Sequence, residues 1–597
     1  MTEYRPPLED LAFVLDHIAG FDGICGEGSD INMDLARAVL EEAGKLAADV
    51  WAPLNSAGDK QPAVMENGVL KATPGFKEAY LQFAEGGWNA ISFDEAFGGQ
   101  DMPWCLAMAA AEMWQASNLS LSLCPLLGQA AIEAIHKHGT AEMQEKYLPK
   151  LISGEWTGTM HLTEPQAGTD LSAIRTTAKK EGDHYRLHGQ KIFITFGEHD
   201  FTENIIHMVL AHIDGLPEGN NGLGLFLVPK FLVNDDGSLG ERNDVFAVSV
   251  EHKLGIHGSP TCVMTYGDKG GAVGYLVGEE GKGLRNMFTM MNNARIGVGQ
   301  QGVALCERAT QHAKAYAADR VQGGKIGDKS GNDVTIINHV DVRRMLATMR
   351  ALTEAGRAMA LYAGGYIDRA TRAADAEQKQ SLSARVDLMT PLIKAWCTDA
   401  AVEVSSLGVQ IHGGMGFIEE AGAAQFYRDA RILPIYEGTN GIQSNDLVFR
   451  KILRDGGREF TRFAADIATD IDDLRSRNDE ALSVIARQMD TALEKLKTST
   501  EWILQNGAEN TDAVAAAAVP YLRQCATVAG GYMMAKMAGT AHQLLQAGAD
   551  NDNTAFLQTK IIHARFFAES LLPQVGGLTD VVTGGHPALL KTSDAQL

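Results

Sequence analysis

Between Thr157 and Glu280 the chain changes its period. The stretches "TTAKKEGDHYRLHGQKIFIT", "NIIHMVLAHID", "GLGLFLVPKFLV", "VFAVSVEHK" and "TCVMTYGD" are short runs rich in β-branched and aromatic residues, parted by Gly, Asn and Asp. That texture predicts strands joined by turns, an all-β insert ending near Glu280. On either side the period is helical. Leu35, Val39, Ala43, Leu46, Ala47 and Val50 recur at spacings of three and four, which sets them on one helix face. Helical text continues to Trp156 through "CLAMAAAEMWQASNLSL" and "AEMQEKYLPKLISG". From Gly283 it resumes with Leu284, Met287, Phe288, Met291, Val298, Leu305 and Tyr316, and Gly297, Gly299 and Gly302 offer places for a second helix to come close. Two more helices are expected at about 338–374 and 380–407. "RDGGRE" at Arg454 marks a linker, beyond which Leu482, Ile485, Met489, Leu493, Leu496 and Ile503 form another stripe. A sheet set between helical blocks predicts an α+β chain that is mainly α, divided into 1–33, 34–156, 157–280, 281–453 and 454–597.

Bulk properties narrow the function. With 597 residues, 45% of them hydrophobic, the chain is long enough for several globular domains. Its formal net charge of −23 repels polyanions on average, which argues against nucleic acid as a partner. Cys25, Cys105, Cys124, Cys262, Cys306, Cys397 and Cys525 are odd in number and never spaced as CxxC. Neither a disulfide framework nor a metal site is expected, and a reducing compartment fits. The start "MTEYRPPLEDLAFVL" resembles neither a signal nor a transit peptide, and no apolar run approaches the roughly 18 residues a bilayer demands. The expectation is a cytoplasmic protein without integral membrane association.

The breaks between stripes carry the chemistry. No Gly-x-Gly-x-x-Gly follows a strand, and no phosphate loop with Gly-Lys-Ser/Thr occurs, so NAD and ATP have no evident seat. Four other segments stand out in order: "HLTEPQAGTDLSAIRTTA" (161–178), "GQKIFITFG" (189–197), "GVQIHGGMGF" (408–417) and "PIYEGTNGIQSNDL" (434–447). The last places one carboxylate, Glu437, in a neutral stretch. Thr439 and Asn440 are themselves good N-cap residues for the run that follows, so capping does not require Glu437.

On these four ordered motifs the sequence resembles, from about Leu35 to Leu453, the acyl-CoA dehydrogenase family of flavoproteins. The resemblance implies an N-terminal helical domain, a middle β-barrel and a C-terminal four-helix domain, here with an extra C-terminal helical domain. It implies FAD as cofactor, with Met160, Leu162, Thr163, Gly168, Thr169, Phe193 and Thr195 about the flavin and pyrophosphate, and with Tyr436 and Thr439 nearby. Hydroxyls and glycine N–H groups suit ring edges and phosphate oxygens, and Phe193 offers a flat face; an ordinary β-turn is the alternative for each alone. Arg320, Gln410, Gly413 and Gly414 would reach the adenosine and pyrophosphate of FAD held by a second subunit, or else be a surface arginine and a helix-ending glycine pair.

By the same resemblance Glu437 is the base that removes the α-proton of an acyl-CoA thioester while a β-hydride passes to flavin N5. An α-C–H is a poor acid, so a positioned carboxylate and a polarised carbonyl are both needed. Tyr436, Arg295 and Thr169 would line the substrate. Some members carry the base just before the residue matching Arg295, but here Ala294 stands there. Gln166 replaces a usual Gly, Gly323 a common aromatic and Gly441 a frequent Gln. The N-terminal segment, "EHKLGIHGSPTCVMTYGD" and the helical extension are similar to the large-subunit branch that includes 3-methylmercaptopropionyl-CoA dehydrogenase, which acts in dimethylsulfoniopropionate degradation. Medium- or long-chain fatty acyl-CoA is the alternative substrate, an acyl-CoA oxidase the alternative chemistry, and a non-catalytic helical module the alternative class. Electron-transfer flavoprotein as acceptor and a homo-oligomer, dimer or tetramer, complete the expectation.

Overall fold

The structure is a computed structural model that describes residues 2–26, 28–66, 69–548 and 551–597. It divides into two compact units, one of residues 42–102 with 113–297, the other of residues 1–41 with 103–112 and 298–597.

The first unit holds helices and a barrel. Its strands are β1 (Trp156–His161), β2 (Thr177–Glu181), β3 (His184–Thr195), β4 (Asn204–Ile213), β5 (Leu223–Pro229), β6 (Val245–Val250), β7 (Thr261–Tyr266) and β8 (Ala272–Leu276). β3 pairs with β8, β8 with β5, β5 with β4, β4 with β2, and β2 with β3 again, which closes a ring of five. Closure removes the exposed edges that an open sheet leaves. β1 continues the sheet beyond β4, and β7 and β6 continue it beyond β3. Ile206, Met208 and Leu210 of β4 pack in one cluster with Ala130, Ala131 and Ile135 of the helix Leu119–His138, while Val209, Ala211 and Ile213 pack in another with Leu187 and Phe226. With both faces buried, β4 is apolar on each, its run broken only by Asn204, His207 and His212. Gly158 lets that helix lie directly on β1, since a Cβ there would come within 2.5 Å of Ala131 Cβ.

Two sequence expectations shift in the chain before residue 72. A short hairpin, Val64–Glu66 with Val69–Lys71, interrupts what reads as helix, because three-residue strands are too short to show a period. In the helical run from Met33 the fully buried stripe is Met33, Ala36, Leu40, Ala43 and Ala47, with Leu35, Val39, Leu46 and Val50 at its margins.

The second unit is helical. α1 (Gly283–Asp319), which belongs to it from Val298 onward, α2 (Val340–Arg372) and α3 (Ala376–His412) are its longest early helices, followed by α4 (Arg458–Ser476), α5 (Glu480–Asn506), α6 (Thr511–Gln546) and α7 (Asn551–Ser570). Residues 454–457 form a turn with Gly456 and Gly457 at positive φ. The glycines on α1 act as expected. A Cβ on Gly299 would fall 2.5 Å from Ile393 Cγ2, and one on Gly302 would strike the Cys397 carbonyl, so α3 seats directly against α1. All six residues of the predicted α5 stripe, Leu482 to Ile503, are buried. The C-terminal helices are joined to the rest of this unit by buried charge. Lys560 of α7 reaches Asp10 and Glu354, while fully buried Arg357 of α2 bonds to Glu112 and Glu307. Each of these ions is matched, which is what burial of charge requires. All seven cysteines are free.

Candidate active site

In the first unit a single irregularity organises the candidate flavin residues. Between Cys262 opposite Ile194 and Met264 opposite Lys191, the β3–β7 register slips, so Ile192 and Phe193 face only Val263. A bulge of this kind re-aims a side chain. Phe193 takes φ +61° and stands 59% exposed, whereas the other aromatics of the barrel strands are buried or half-buried. Left-handed backbone costs a non-glycine residue about 1–2 kcal/mol, so something must hold it. The holder is Lys191, fully buried, which donates to the Leu162 carbonyl at 2.9 Å and to Glu164 Oε1 at 2.8 Å. Ile192 N–H donates to the Thr163 carbonyl at 2.9 Å.

Glu164 in turn folds the loop that contains Gly168 and Thr169. Its carboxylate accepts from the backbone N–H groups of Arg175 at 2.7 Å and Thr176 at 3.0 Å. Burial raises its pKa, but Lys191 and these hydrogen bonds outweigh that and hold it down to about 2; burial conversely brings Lys191 down to about 8. Gln166, where the family pattern has glycine, is used here: its amide donates to Glu164 at 2.6 Å and to the Ala173 carbonyl at 3.0 Å. A Cβ on Gly168 would meet nothing within 4 Å, so the loop backbone faces open space. Gly168 and Thr169 are exposed, Met160, Thr163 and Thr195 are half-buried, and Leu162 is at the edge of the core. An exposed aromatic face, flanking hydroxyls and an unobstructed glycine loop fit the ring and phosphates of a flavin nucleotide.

In the second unit the "PIYEGT" segment is a tight loop. Asn440 N–H donates to the Pro434 carbonyl at 3.0 Å, and Glu437 and Gly438 take φ +57° and +81° in succession. Glu437 is half-buried. Three side chains grip this backbone. Tyr436 OH donates to Gln301 Oε1 of α1, and burial, with the Glu437 charge beside it, pushes the phenol pKa up. Gln443 Nε2 reaches the Glu437 and Gly438 carbonyls at 3.3 Å. Lys394 of α3 donates to the Gly438 carbonyl at 2.8 Å. Thr439 caps the short helix Asn440–Asn445 by accepting from Ile442 N–H, so its hydroxyl oxygen is already engaged. Asn440, expected as a possible cap, instead spends its side chain on α3.

The remaining residues lie elsewhere. Arg320 follows the end of α1, and Gln410, Gly413 and Gly414 lie at the end of α3, brought near one another by His412 stacking on Tyr316 at 4.3 Å between ring centres. Lys394 lies 18 residues before His412, about 27 Å along the helix, so this patch is not part of the Glu437 loop. It is exposed and apolar at Met415, Phe417 and Ile418, and a Cβ on Gly413 or Gly414 meets nothing. Arg295 is buried on α1 beside buried Ala294. Sequence reasoning missed Glu164, Lys191, Gln301, Lys394 and Gln443. The one available signal was a lysine inside a strongly apolar run, as in "TPLIKAWC".

Comparisons with known proteins agree along the whole chain. Family models match for the acyl-CoA dehydrogenase N-terminal domain over 36–155, the middle domain over 159–268 and the C-terminal domain over 281–451, and an acetyl-CoA dehydrogenase C-terminal-like domain matches 463–593. The chain is 45% identical over 593 residues to the 3-methylmercaptopropionyl-CoA dehydrogenase of Ruegeria pomeroyi, covering 99% of this chain and 100% of that one. It is 34% identical to a broad-specificity linear acyl-CoA dehydrogenase, FadE5, of Mycobacterium tuberculosis, covering 98% of each. Among solved structures, an acyl-CoA dehydrogenase of Bacillus anthracis complexed with FAD superposes with a TM-score of 0.73 at 21% identity, covering 98% of this chain and 93% of that one.

Proposed function

Because the chain belongs to the acyl-CoA dehydrogenase family, FAD-dependent oxidoreductases acting on a CH–CH bond, we propose that it desaturates a short acyl-CoA at Cα–Cβ with Glu437 as the base. The observation that carries this reading is the Glu437 loop. A lone carboxylate sits half-buried on a left-handed backbone that buried Lys394 and Gln443 and half-buried Tyr436 hold in place. Such expense of strain and burial is typical of a functional position.

Glu437 takes the α-proton. The electron pair of that C–H bond becomes the second Cα–Cβ bond, and the β-hydrogen departs with its own pair. Bound FAD supplies the ring that accepts this hydride. The backbone N–H of Glu437 donates to the thioester oxygen and makes the α-proton more acidic. Phe193 provides the flat face for the ring, Thr163 and Thr195 its polar edge contacts, and Gly168 and Thr169 the phosphate contacts. Tyr436 walls the reacting end, and Arg295 lies in the substrate wall. Arg320, Gln410, Gly413 and Gly414 serve the FAD of a second subunit, so the working form is a homo-oligomer in which the exposed Phe417 patch is covered. Electrons then pass to electron-transfer flavoprotein.

The proposed substrate is 3-methylmercaptopropionyl-CoA, on the strength of the full-length 45% identity. A linear fatty acyl-CoA is the second reading, favoured by the equally complete FadE5 match. The two differ in a chain atom, and a pocket separates such chains by only about 1–3 kcal/mol per methylene, so a panel of acyl-CoAs decides between them. The test is anaerobic titration. Glu437→Gln should retain FAD and bind acyl-CoA while flavin bleaching slows by about 10²- to 10⁴-fold, the usual worth of a general base. Bleaching at the parent rate would remove Glu437 from the reaction.

A further inference from the structure

Lys394 has no role in the reaction as described, yet it is a lysine with no solvent exposure, set on α3 between Ile393 and Ala395. A buried ammonium persists only where hydrogen bonds and charge repay its lost hydration. Its bonds go to the catalytic loop: the Gly438 carbonyl at 2.8 Å and Asn440 Oδ1 at 3.0 Å. Asn440 passes the contact back to α3, donating to the Ala395 carbonyl at 3.1 Å, Thr398 Oγ1 at 3.1 Å and Asp399 Oδ1 at 2.7 Å. Thr398 Oγ1 closes the set at the Lys394 carbonyl, 2.7 Å away. The whole assembly rests on the close α1–α3 approach at Gly299 and Gly302, which also puts Gln301 within reach of Tyr436.

We propose that Lys394 is a positioning residue for the base: by holding the Gly438 carbonyl it locks the Gly438–Thr439 peptide, fixes the left-handed turn at Glu437 and Gly438, and places a positive charge on the residue that follows the base. The inference rests on the reading of Glu437 as the base. Two effects follow. Geometry is one, because a loop free to relax at two positive-φ positions loses the aim of its carboxylate, and a misplacement of about 1 Å can cost 10²-fold in rate. Charge is the other. Lys394 faces the Asp399 carboxylate of α3 as well as the loop, but Asp399 is bonded to Asn440, whereas Lys394 sits on the residue after Glu437; a cation there favours the ionised base, so removing it raises the pKa of Glu437.

The test uses full-length holoenzyme and anaerobic stopped-flow reduction by saturating 3-methylmercaptopropionyl-CoA and butyryl-CoA, from pH 5.5 to 9. Lys394→Met should slow flavin reduction at least about tenfold and move the acid limb of the rate profile up by about one pH unit. Asn440→Ala removes one acceptor and the tether to α3 but no charge, so it should slow reduction and leave the acid limb in place. Amide exchange of the 434–445 peptide in FAD-free protein should quicken in both variants. Should Lys394→Met fail to fold, an Asn440→Ala variant with parental rate and exchange overturns the proposal. So does a folded Lys394→Met variant with parental rate and pH limb. Glu437→Gln separates the two readings: if it bleaches like the parent, the base is wrong, whereas if it is inert and Lys394→Met is unchanged, only the positioning role is lost.

Discussion

The bulge at Phe193 and the loop at Glu437 solve one problem with different means. Each holds a non-glycine residue at φ near +60°, and each leans on a lysine with no exposed surface, Lys191 in one and Lys394 in the other. Lys191 closes on Glu164, whose carboxylate also receives two backbone N–H groups of its own loop. That clamp is self-contained and serves shape alone. Lys394 closes on the carbonyl next to Glu437, so its charge and its geometry act on the group proposed to take the proton. The difference teaches that where a buried lysine bonds the backbone of a left-handed turn, what else it touches says whether the holding is structural or chemical.

Removing one side of the structural clamp should have the largest effect on stability. Glu164→Ala leaves Lys191 buried without its carboxylate, and breaking one partner of a buried pair costs about 3–5 kcal/mol, read as a lower melting temperature and FAD loss. The double change Glu164→Leu with Lys191→Met should recover much of that, since replacing both ions removes both desolvation penalties. If the double variant is as unstable as the single, the clamp is not what holds the loop.

Acid should strain the barrel next. His161 and His207 are hydrogen-bonded to Thr159 within it, and burial drives both well below the usual imidazole range; burial brings His199 down to about 3. The folded state binds fewer protons at these sites than the unfolded chain, whose histidines titrate near 6.5. Stability is therefore whole above pH 6.5 and falls as pH drops from 6.5 toward 3, by up to about 1.4 kcal/mol per unit per histidine. Melts at pH 7 and pH 5 measure this, and equal melting temperatures would contradict the neutral state of these rings.

Phe193→Gly carries the smallest effect on folding. Relief of about 1–2 kcal/mol of left-handed strain offsets the roughly 0.5–1 kcal/mol that glycine adds to the unfolded entropy and some lost contact area. Stability should change by less than about 1 kcal/mol while FAD affinity falls, as followed by fluorescence titration. A large destabilisation would make Phe193 a packing residue and end the comparison with Glu437.

Much of the architecture was legible along the chain because it follows from period. The α5 stripe, the barrel strands and the close approach at Gly299 and Gly302 were all open to pattern reading, since burial on one face repeats at 3.6 or 2 residues. The hairpin at 64–71 had no length in which to repeat. The stripe from Met33 was displaced because small residues, Ala36, Ala43 and Ala47, fill the face where the helix packs most closely, leaving the larger ones at the rim.

By itself the sequence determined the order of helix, barrel and helix, the family, and the carboxylate at 437 that a short motif marks. It did not determine how that carboxylate is held. Lysine is almost never fully buried, so the apolar run around Lys394 hints at burial without naming its partners, and only the folded chain brings to Lys191 and Lys394 the carbonyls, amides and carboxylate that make burial tolerable. Those partners stand at sequence separations of 27 to 46 residues, a distance over which local chemistry has no reach and packing alone decides.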